Sequence, residues 1–411
     1  MRLRYQHRHA LLALVAGGLG FAAAGCGSGA ACAVGLCDKP PPVQISLAVV
    51  AADFTGDGHV DVARPEATGI AEPGFVGVLL HVAASGRGYA PEVRYAVDKN
   101  PYGIAAADLD GDGLSDLITT SFSADSVSVL LNSRSHPGSF GAPTNLAAKF
   151  VSSVAAADMD GDGRPDLVIA ANPLLLAVQQ PGQPGVFAVP APLYVNPSGK
   201  TFGAVALGDL DGDGLTDVVV ADDDGVKVLF HAPQATDTQI TVAALIFSNT
   251  RVGESPAVAI ADIDGDGRND LVITDPDGNA LVVLLQDPAA AGHFLAPRTT
   301  TLPSGMGAAI AIADLNGDGL PDVVTSGSDG VAVFLQDPQR PGQFTPAQSY
   351  GAPLTADGVA IVDVDGDGLP DVVTSSGVSS EVVNGTLTTP PGVLYQDPAH
   401  PGHFLALANL Q

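Results

Sequence analysis

The sequence has no tryptophan, three cysteines and only 17 Lys plus Arg among its 411 residues. Each scarcity removes a class of function. Without a basic stripe there is nothing to meet a phosphate backbone, so nucleic acid is excluded as a partner. No apolar run beyond the first 25 residues is long enough to cross a bilayer. Helical hydrophobic spacing is not sustained anywhere after that point. A phosphate cradle of the GxxxxGKS kind is missing. Paired carboxylates suited to glycoside chemistry occur only inside one recurrent motif.

That motif holds what the chain has in excess, which is aspartate. DFTGDGHVD begins at Asp53, DLDGDGLSD at Asp108, DMDGDGRPD at Asp158 and DLDGDGLTD at Asp209. DIDGDGRND follows at Asp262, DLNGDGLPD at Asp314 and DVDGDGLPD at Asp363. Successive starts lie 55, 50, 51, 53, 52 and 49 residues apart, a period that marks a repeat architecture. The formal charge is -28, and 26 of the 45 acidic residues sit in these seven loops. The remaining 19 acids face 17 Lys plus Arg, so the rest of the chain is close to neutral. This is not the composition of an acidic disordered chain.

Around each loop the residues read as strands. Before it stands a small, apolar segment such as GIAAAD, SVAAAD or AVAIAD; after it comes DLVIAA, DVVVAD or DLVITD. A third run, such as GVKVLFH or ALVVLLQ, follows a polar turn, and DPxxPG with a later Phe leads into a fourth. Val-, Ile- and Leu-rich runs punctuated by Gly, Pro, Asn and Asp are strand and turn material. Four strands per repeat suit the blade of an all-β propeller, here seven-bladed. The Ala- and Gly-rich first strand belongs innermost, where strands converge on an axis. Complete repeats run from VQISLAVVAAD to FLALANLQ, so blade seven is expected to pack on blade one.

Carboxylates held about 4 Å apart repel by ~4 kcal/mol per pair at an effective dielectric of about 20. Such crowding calls for a cation. Alternate loop positions carry oxygen donors, and the expected ligands are four side chains plus one backbone carbonyl. In loop one they are Asp53, Thr55, Asp57 and Asp61, with the carbonyl of His59. Loop two offers Asp108, Asp110, Asp112 and Asp116 with Leu114; loop three, Asp158, Asp160, Asp162 and Asp166 with Arg164. Loop four offers Asp209, Asp211, Asp213 and Asp217 with Leu215; loop five, Asp262, Asp264, Asp266 and Asp270 with Arg268. Loop six offers Asp314, Asn316, Asp318 and Asp322 with Leu320; loop seven, Asp363, Asp365, Asp367 and Asp371 with Leu369. The two glycines let the backbone turn tightly enough to converge these oxygens. An oxygen-only, roomy set suits calcium better than magnesium or zinc, with up to seven ions in all. An EF-hand would need flanking helices and a Glu at position twelve, where Thr119, Ile169 and Val220 stand. Thr55 and Asn316 each remove a charge, so loops one and six are expected to bind weakest.

The amino terminus reads as an export signal. Arg2, Arg4 and Arg8 precede an apolar run from Ala10 to Ala24 that ends in FAAAGC. The small residues before Cys26 resemble a bacterial lipobox, although Ala23 stands where Leu is preferred; the resemblance implies lipidation of Cys26. Export, and attachment to an inner or outer membrane through lipid alone, is the expectation; the alternative is a free secreted protein. Residues 26–42 form a tether in which Cys32 and Cys37 are a disulfide candidate.

The repeated DxDGDGxxDLVV followed by VxVLLQDPxxPGxF resembles the FG-GAP and VCBS-type repeats of integrin-alpha-like propellers. The likeness covers residues 43–411. It implies a seven-bladed propeller with calcium in each first-to-second-strand loop, and extracellular adhesion or ligand binding. Related propellers also occur in some polysaccharide lyases, so a lyase or hydrolase is the alternative. The nine histidines read as scattered surface residues without a nucleophile and orienting acid beside them. The expected function is therefore non-catalytic binding of an envelope protein or glycan, by a monomer. Ligand-face candidates lie in the links between blades and comprise Lys99, Tyr102, Lys200, Phe202 and Arg251. The longest insertion runs from Ser375 to Gly392, in blade seven.

Overall fold

The computed structural model describes residues 46–47, 49–67, 73–82, 88–197, 199, 202–222, 224–231, 240–248, 256–351, 358–375, 381–383, 386–388 and 391–410. Cys26, Cys32, Cys37, Lys200 and Arg251 lie outside these residues, as do the signal and tether segments.

The chain forms seven antiparallel four-stranded meanders arranged as the blades of a propeller. Blade one contains Val50–Ala52, Asp61–Glu66, Pro73–Leu79 and Val93–Lys99. Blade two contains Pro101–Ala107, Asp116–Ser121, Ser126–Leu130 and Thr144–Ala147. Blades three to seven begin with Ser153–Ala157, Ala204–Gly208, Val258–Ala261, Met306–Ala313 and Val359–Val362.

These first strands are the innermost, as their small residues predict. Each touches the first strand of the next blade, and Val359–Val362 of blade seven touches Val50–Ala52 of blade one. The ring therefore closes. Each four-stranded meander is one continuous stretch of chain, and blade seven meets blade one through side-chain packing and not through a shared sheet. At the seam, Val49, Ala51 and Val62 pack against Ala360, Val362, Val364, Val373, Val393 and Leu410. The apolar core lies between blades, with Ala155 and Ile169 of blade three in one continuous cluster with Val205 and Val220 of blade four.

Two features were not legible in the sequence. Ser46–Leu47 adds an antiparallel strand to the inner edge of blade two, opposite Ile104 and Gly103. Within the blade-seven insertion, Glu381–Val383 and Thr386–Thr388 pair as a separate hairpin. Among the described residues, helix is confined to one 3-10 turn, Phe122–Ala124.

An up-and-down meander places its first and third connections on one face of the disc and the second, with the link to the next blade, on the other. The aspartate loops and the DPxxPG turns therefore share a face. Close packing at the inner strand sets a first test. Ala155→Leu is expected to destabilise the fold by about 1–3 kcal/mol through overpacking. Ala147→Leu, at an exposed outer-strand position, is expected to change stability by less than about 0.5 kcal/mol. Urea unfolding of the two variants checks the contrast; equal effects would contradict the assignment of inner and outer strands.

Candidate metal centre

Each aspartate loop is a hairpin connection held closed at its base. The last residue of the first strand pairs with the ninth loop residue, as in Ala107 with Asp116 and Ala157 with Asp166. The same pairing recurs in the other five blades. Both loop glycines hold positive φ in all seven copies, 76° and 91° at Gly111 and Gly113. A Cβ added at either would meet nothing within 4 Å, so backbone conformation and not space demands glycine there.

The first aspartate organises the turn. Asp108 accepts N–H bonds from Gly111, Asp112 and Gly113 at 2.8, 3.1 and 2.9 Å. Asp110 accepts one from Asp112, and Asp112 accepts one from Leu114.

The ninth aspartate is the anchor. In every blade it is buried, with 0–2% of its surface exposed. One oxygen of Asp116 accepts the N–H of Leu109 at 2.8 Å, and the other accepts that of Asn132 at 2.7 Å. Equivalent pairs of bonds, all between 2.7 and 3.0 Å, hold Asp61, Asp166, Asp217, Asp270, Asp322 and Asp371. A carboxylate has about four lone-pair directions, so two remain for a further partner. Burial pushes Asp116, Asp217 and Asp371 up to about 7, and Asp61, Asp166, Asp270 and Asp322 up to about 6. Desolvation outweighs the two N–H bonds, and neighbouring loop aspartates add to the rise.

In five blades the first, third and ninth aspartates each place one oxygen within 4.8 Å of the others: Asp108, Asp110 and Asp116, and their equivalents in blades three, four, five and seven. The third aspartate is also raised by burial first, at Asp110, Asp160, Asp211 and Asp264. Oδ1 of Asp264 is buried and accepts no hydrogen bond. Three converging carboxylate oxygens with an unsatisfied buried acceptor among them fit a hard cation, so these trios could hold metal ions.

The fifth aspartate does not join any trio. In blades three and five it is engaged instead by the residue two places on, Arg164 with Asp162 and Arg268 with Asp266. Loops one and six carry Thr55 and Asn316 at the third position and so offer no trio of carboxylates there. The Thr55 hydroxyl donates to Asp53 at 3.2 Å, so the third position there faces its neighbour as a donor.

Sequence reasoning missed the tie between loops of neighbouring blades. The second residue after the third strand is Asn or Gln in five blades. Its backbone N–H binds the ninth aspartate of its own blade, and in four of the five its side-chain amide reaches the loop of the preceding blade, whereas in blade six Gln336 Nε2 donates to Pro321 O of its own loop at 2.7 Å. Gln179 donates to Leu109 O at 2.8 Å, Gln286 to Leu210 O at 2.6 Å and Gln396 to Leu315 O at 2.9 Å. Asn132 donates likewise to Phe54 O at 2.8 Å. The following turn presses on the same neighbour: a Cβ at Gly402 would lie 3.2 Å from Asn316 Cβ. The recurrent Gln before DPxxPG was the available signal.

Two expectations need correction. His81 and His231 are not surface residues; they occupy the Gln position in blades one and four and are buried. His81 stacks on His59 at 4.7 Å. Phe202 is fully buried in the core beside Tyr194 and cannot face a ligand. Of the other ligand-face candidates described, Lys99 is exposed and Tyr102 is half-buried.

A family model described as FG-GAP-like repeat matches residues 108–169, 209–273, 262–325 and 314–374. A comparison with curated proteins finds no match. Among solved structures, a lectin of Agrocybe aegerita specific for non-reducing terminal N-acetylglucosamine is 21% identical with a TM-score of 0.53. That match covers 74% of this chain and 80% of the lectin. A functionally unknown protein of Desulfotomaculum acetoxidans is 13% identical with a TM-score of 0.51, over 81% of this chain and 92% of its own. The Dos1 propeller is 12% identical with a TM-score of 0.51, covering 89% and 85% respectively. At these identities the likeness concerns the fold.

The raised ninth aspartates make the cation-free protein sensitive to pH in a defined direction. Their folded pKa lies above the unfolded value, so their contribution to stability is full at low pH and is lost as pH rises. The window runs from the ordinary aspartate value of 3.8 to about 7. In chelator the melting temperature is therefore expected to be higher near about pH 5 than near about pH 8. A melting temperature that rises with pH in chelator would contradict this arrangement.

Proposed function

Because the chain belongs to the FG-GAP-like repeat family, we propose that it is a calcium-stabilised, non-catalytic propeller that binds a protein or glycan at the cell envelope. The observation that carries this reading is the role of the loop carboxylates. The ninth aspartate of each loop is buried with both oxygens committed to backbone N–H groups, which suits holding a fold together and not proton transfer to a substrate. The oxygen-only trios favour calcium, which takes six to eight oxygen ligands. The fifth aspartates and seventh-position carbonyls would complete the set, with water. Surface loops on such a rigid disc are where recognition is expected. The lectin's likeness in fold supports a binding role without naming a ligand for this chain.

Native mass spectrometry of the purified protein tests the scaffold. At limiting calcium five ions are expected, one for each trio, with loops one and six filling only at higher calcium. Chelation should remove the ions and lower the melting temperature together. Zero or one bound ion would remove the physical basis of the reading.

The signal sequence supports export and attachment through lipid on Cys26. Cys26→Ser is expected to move the protein from the membrane fraction to the soluble fraction without altering its melting temperature. Retention of Cys26→Ser in the membrane fraction would exclude lipid on that residue as the anchor.

A further inference from the structure

We propose that blade two carries, on the face away from the aspartate loops, a docking surface for a protein segment with apolar side chains flanked by carboxylates. This rests on the binding reading above and adds its location and the chemistry of its partner.

Three connections meet there. They are the link at Lys99 and Asn100, the 3-10 turn Phe122–Ala124, and the link to blade three at Ala148–Phe150. Side chains lock them together. Asn100 Nδ2 donates to Ser123 Oγ at 3.2 Å, and Phe150 N–H donates to Asp125 Oδ1 at 3.0 Å. Ala148 N–H donates to the backbone carbonyl of Asp125 at 2.9 Å.

Backbone strain is concentrated at this corner. Among the described residues four non-glycine residues have positive φ, and three are Asn100 at 53°, Asp125 at 53° and Phe150 at 55°. Asn and Asp adopt this conformation readily, whereas a bulky aromatic residue does not. Strain of this kind tends to persist at ligand-contacting sites. Packing gives Phe150 no reason to be there, since 53% of its surface is exposed. Phe122, at 38%, is the other exposed phenylalanine among the described residues. A strained, solvent-facing ring on a locked loop is a rigid apolar anchor, the kind of group enriched at interface centres.

Charge indicates the partner. Lys99 and Lys149 are exposed on the same connections and form no ion pair among the described residues. The nearby acids are turned inward, Asp98 accepting from Ser126 Oγ at 2.7 Å and Asp125 from Phe150 N–H. The corner therefore presents two rings and two ammonium groups. Asn100, Ser123 and Asp125 are engaged with one another and with the backbone, so few polar atoms remain to read sugar hydroxyls. That favours a protein segment over a glycan.

The test is selection of random linear peptides displayed on phage against the immobilised protein in calcium buffer. Affinities of the enriched peptides are then measured for wild type, Phe150→Gly, Phe122→Ala and Lys149→Glu, alongside a glycan array. Enriched peptides should combine apolar residues with Asp or Glu. Phe150→Gly should weaken them about tenfold or more while keeping or raising the melting temperature, since glycine takes positive φ freely. Lys149→Glu should weaken them most at low salt. Unchanged affinity for Phe150→Gly would overturn the docking surface and leave the binding reading standing. A fall in melting temperature with affinity would make Phe150 a structural residue and overturn the proposal. Binding of glycans alone would overturn the partner class, and no binding of either kind would overturn the binding reading as well.

Discussion

The buried ninth aspartate is the interaction on which the remainder of the architecture depends. Two backbone N–H groups, one from the loop and one from the end of the third strand, converge on a single carboxylate. Both bonds are short, and both donors would otherwise be orphaned in a dry environment. The carboxylate thus fixes the loop to the sheet and the third strand to the loop. It does so at an electrostatic disadvantage, because burial and neighbouring aspartates oppose its charge. A cation at the converging oxygens is the natural counterweight.

The side-chain amides that follow the third strands extend this local logic around the disc. Gln179, Gln286, Gln396 and Asn132 each bind one loop through the backbone and the preceding loop through the side chain. An aspartate loop is therefore shaped from within by its own glycines and from outside by the next blade. His81 and His231 stand at this position in blades one and four, so the ring is not uniform in how neighbours are joined. Buried amides are costly unless their partners are in place, which makes these ties demanding of correct blade spacing.

Most of the fold was legible because it is periodic. The spacing of the aspartate loops gave the blade count, small residues located the inner strands, and complete repeats foretold a ring without an exchanged strand. The recurrent aspartates of the loops were legible for the same reason, and Thr55 and Asn316 stand out as the third positions without a charge. What escaped notice depends on contacts between blades. Gln179 and Leu109 are 70 residues apart, and no local pattern links them. Phe202 looked accessible because its segment, NPSGKTFG, has the composition of a surface link. Its ring nevertheless enters the core beside Val205 and Val220, because a link that crosses between blades must fill the gap it spans. The hairpin within the blade-seven insertion and the inner strand at Ser46–Leu47 break the repeat, and periodicity is silent about both.

Because each four-stranded meander is one consecutive stretch of chain, the unit that folds coincides with the unit that a gene can copy. Among blades three to seven, duplicating or deleting a segment of this length would add or remove a whole sheet without severing a ladder between blades. Such an event must restore the side-chain amide ties between loops and apolar contact of the kind made at the seam, where Val and Ala of blade one meet Val and Leu of blade seven. Such contacts are tolerant of substitution as long as volume is conserved. A ring of this design is open to lineage-level change in blade number, with the curvature set by the small inner strands deciding which numbers close.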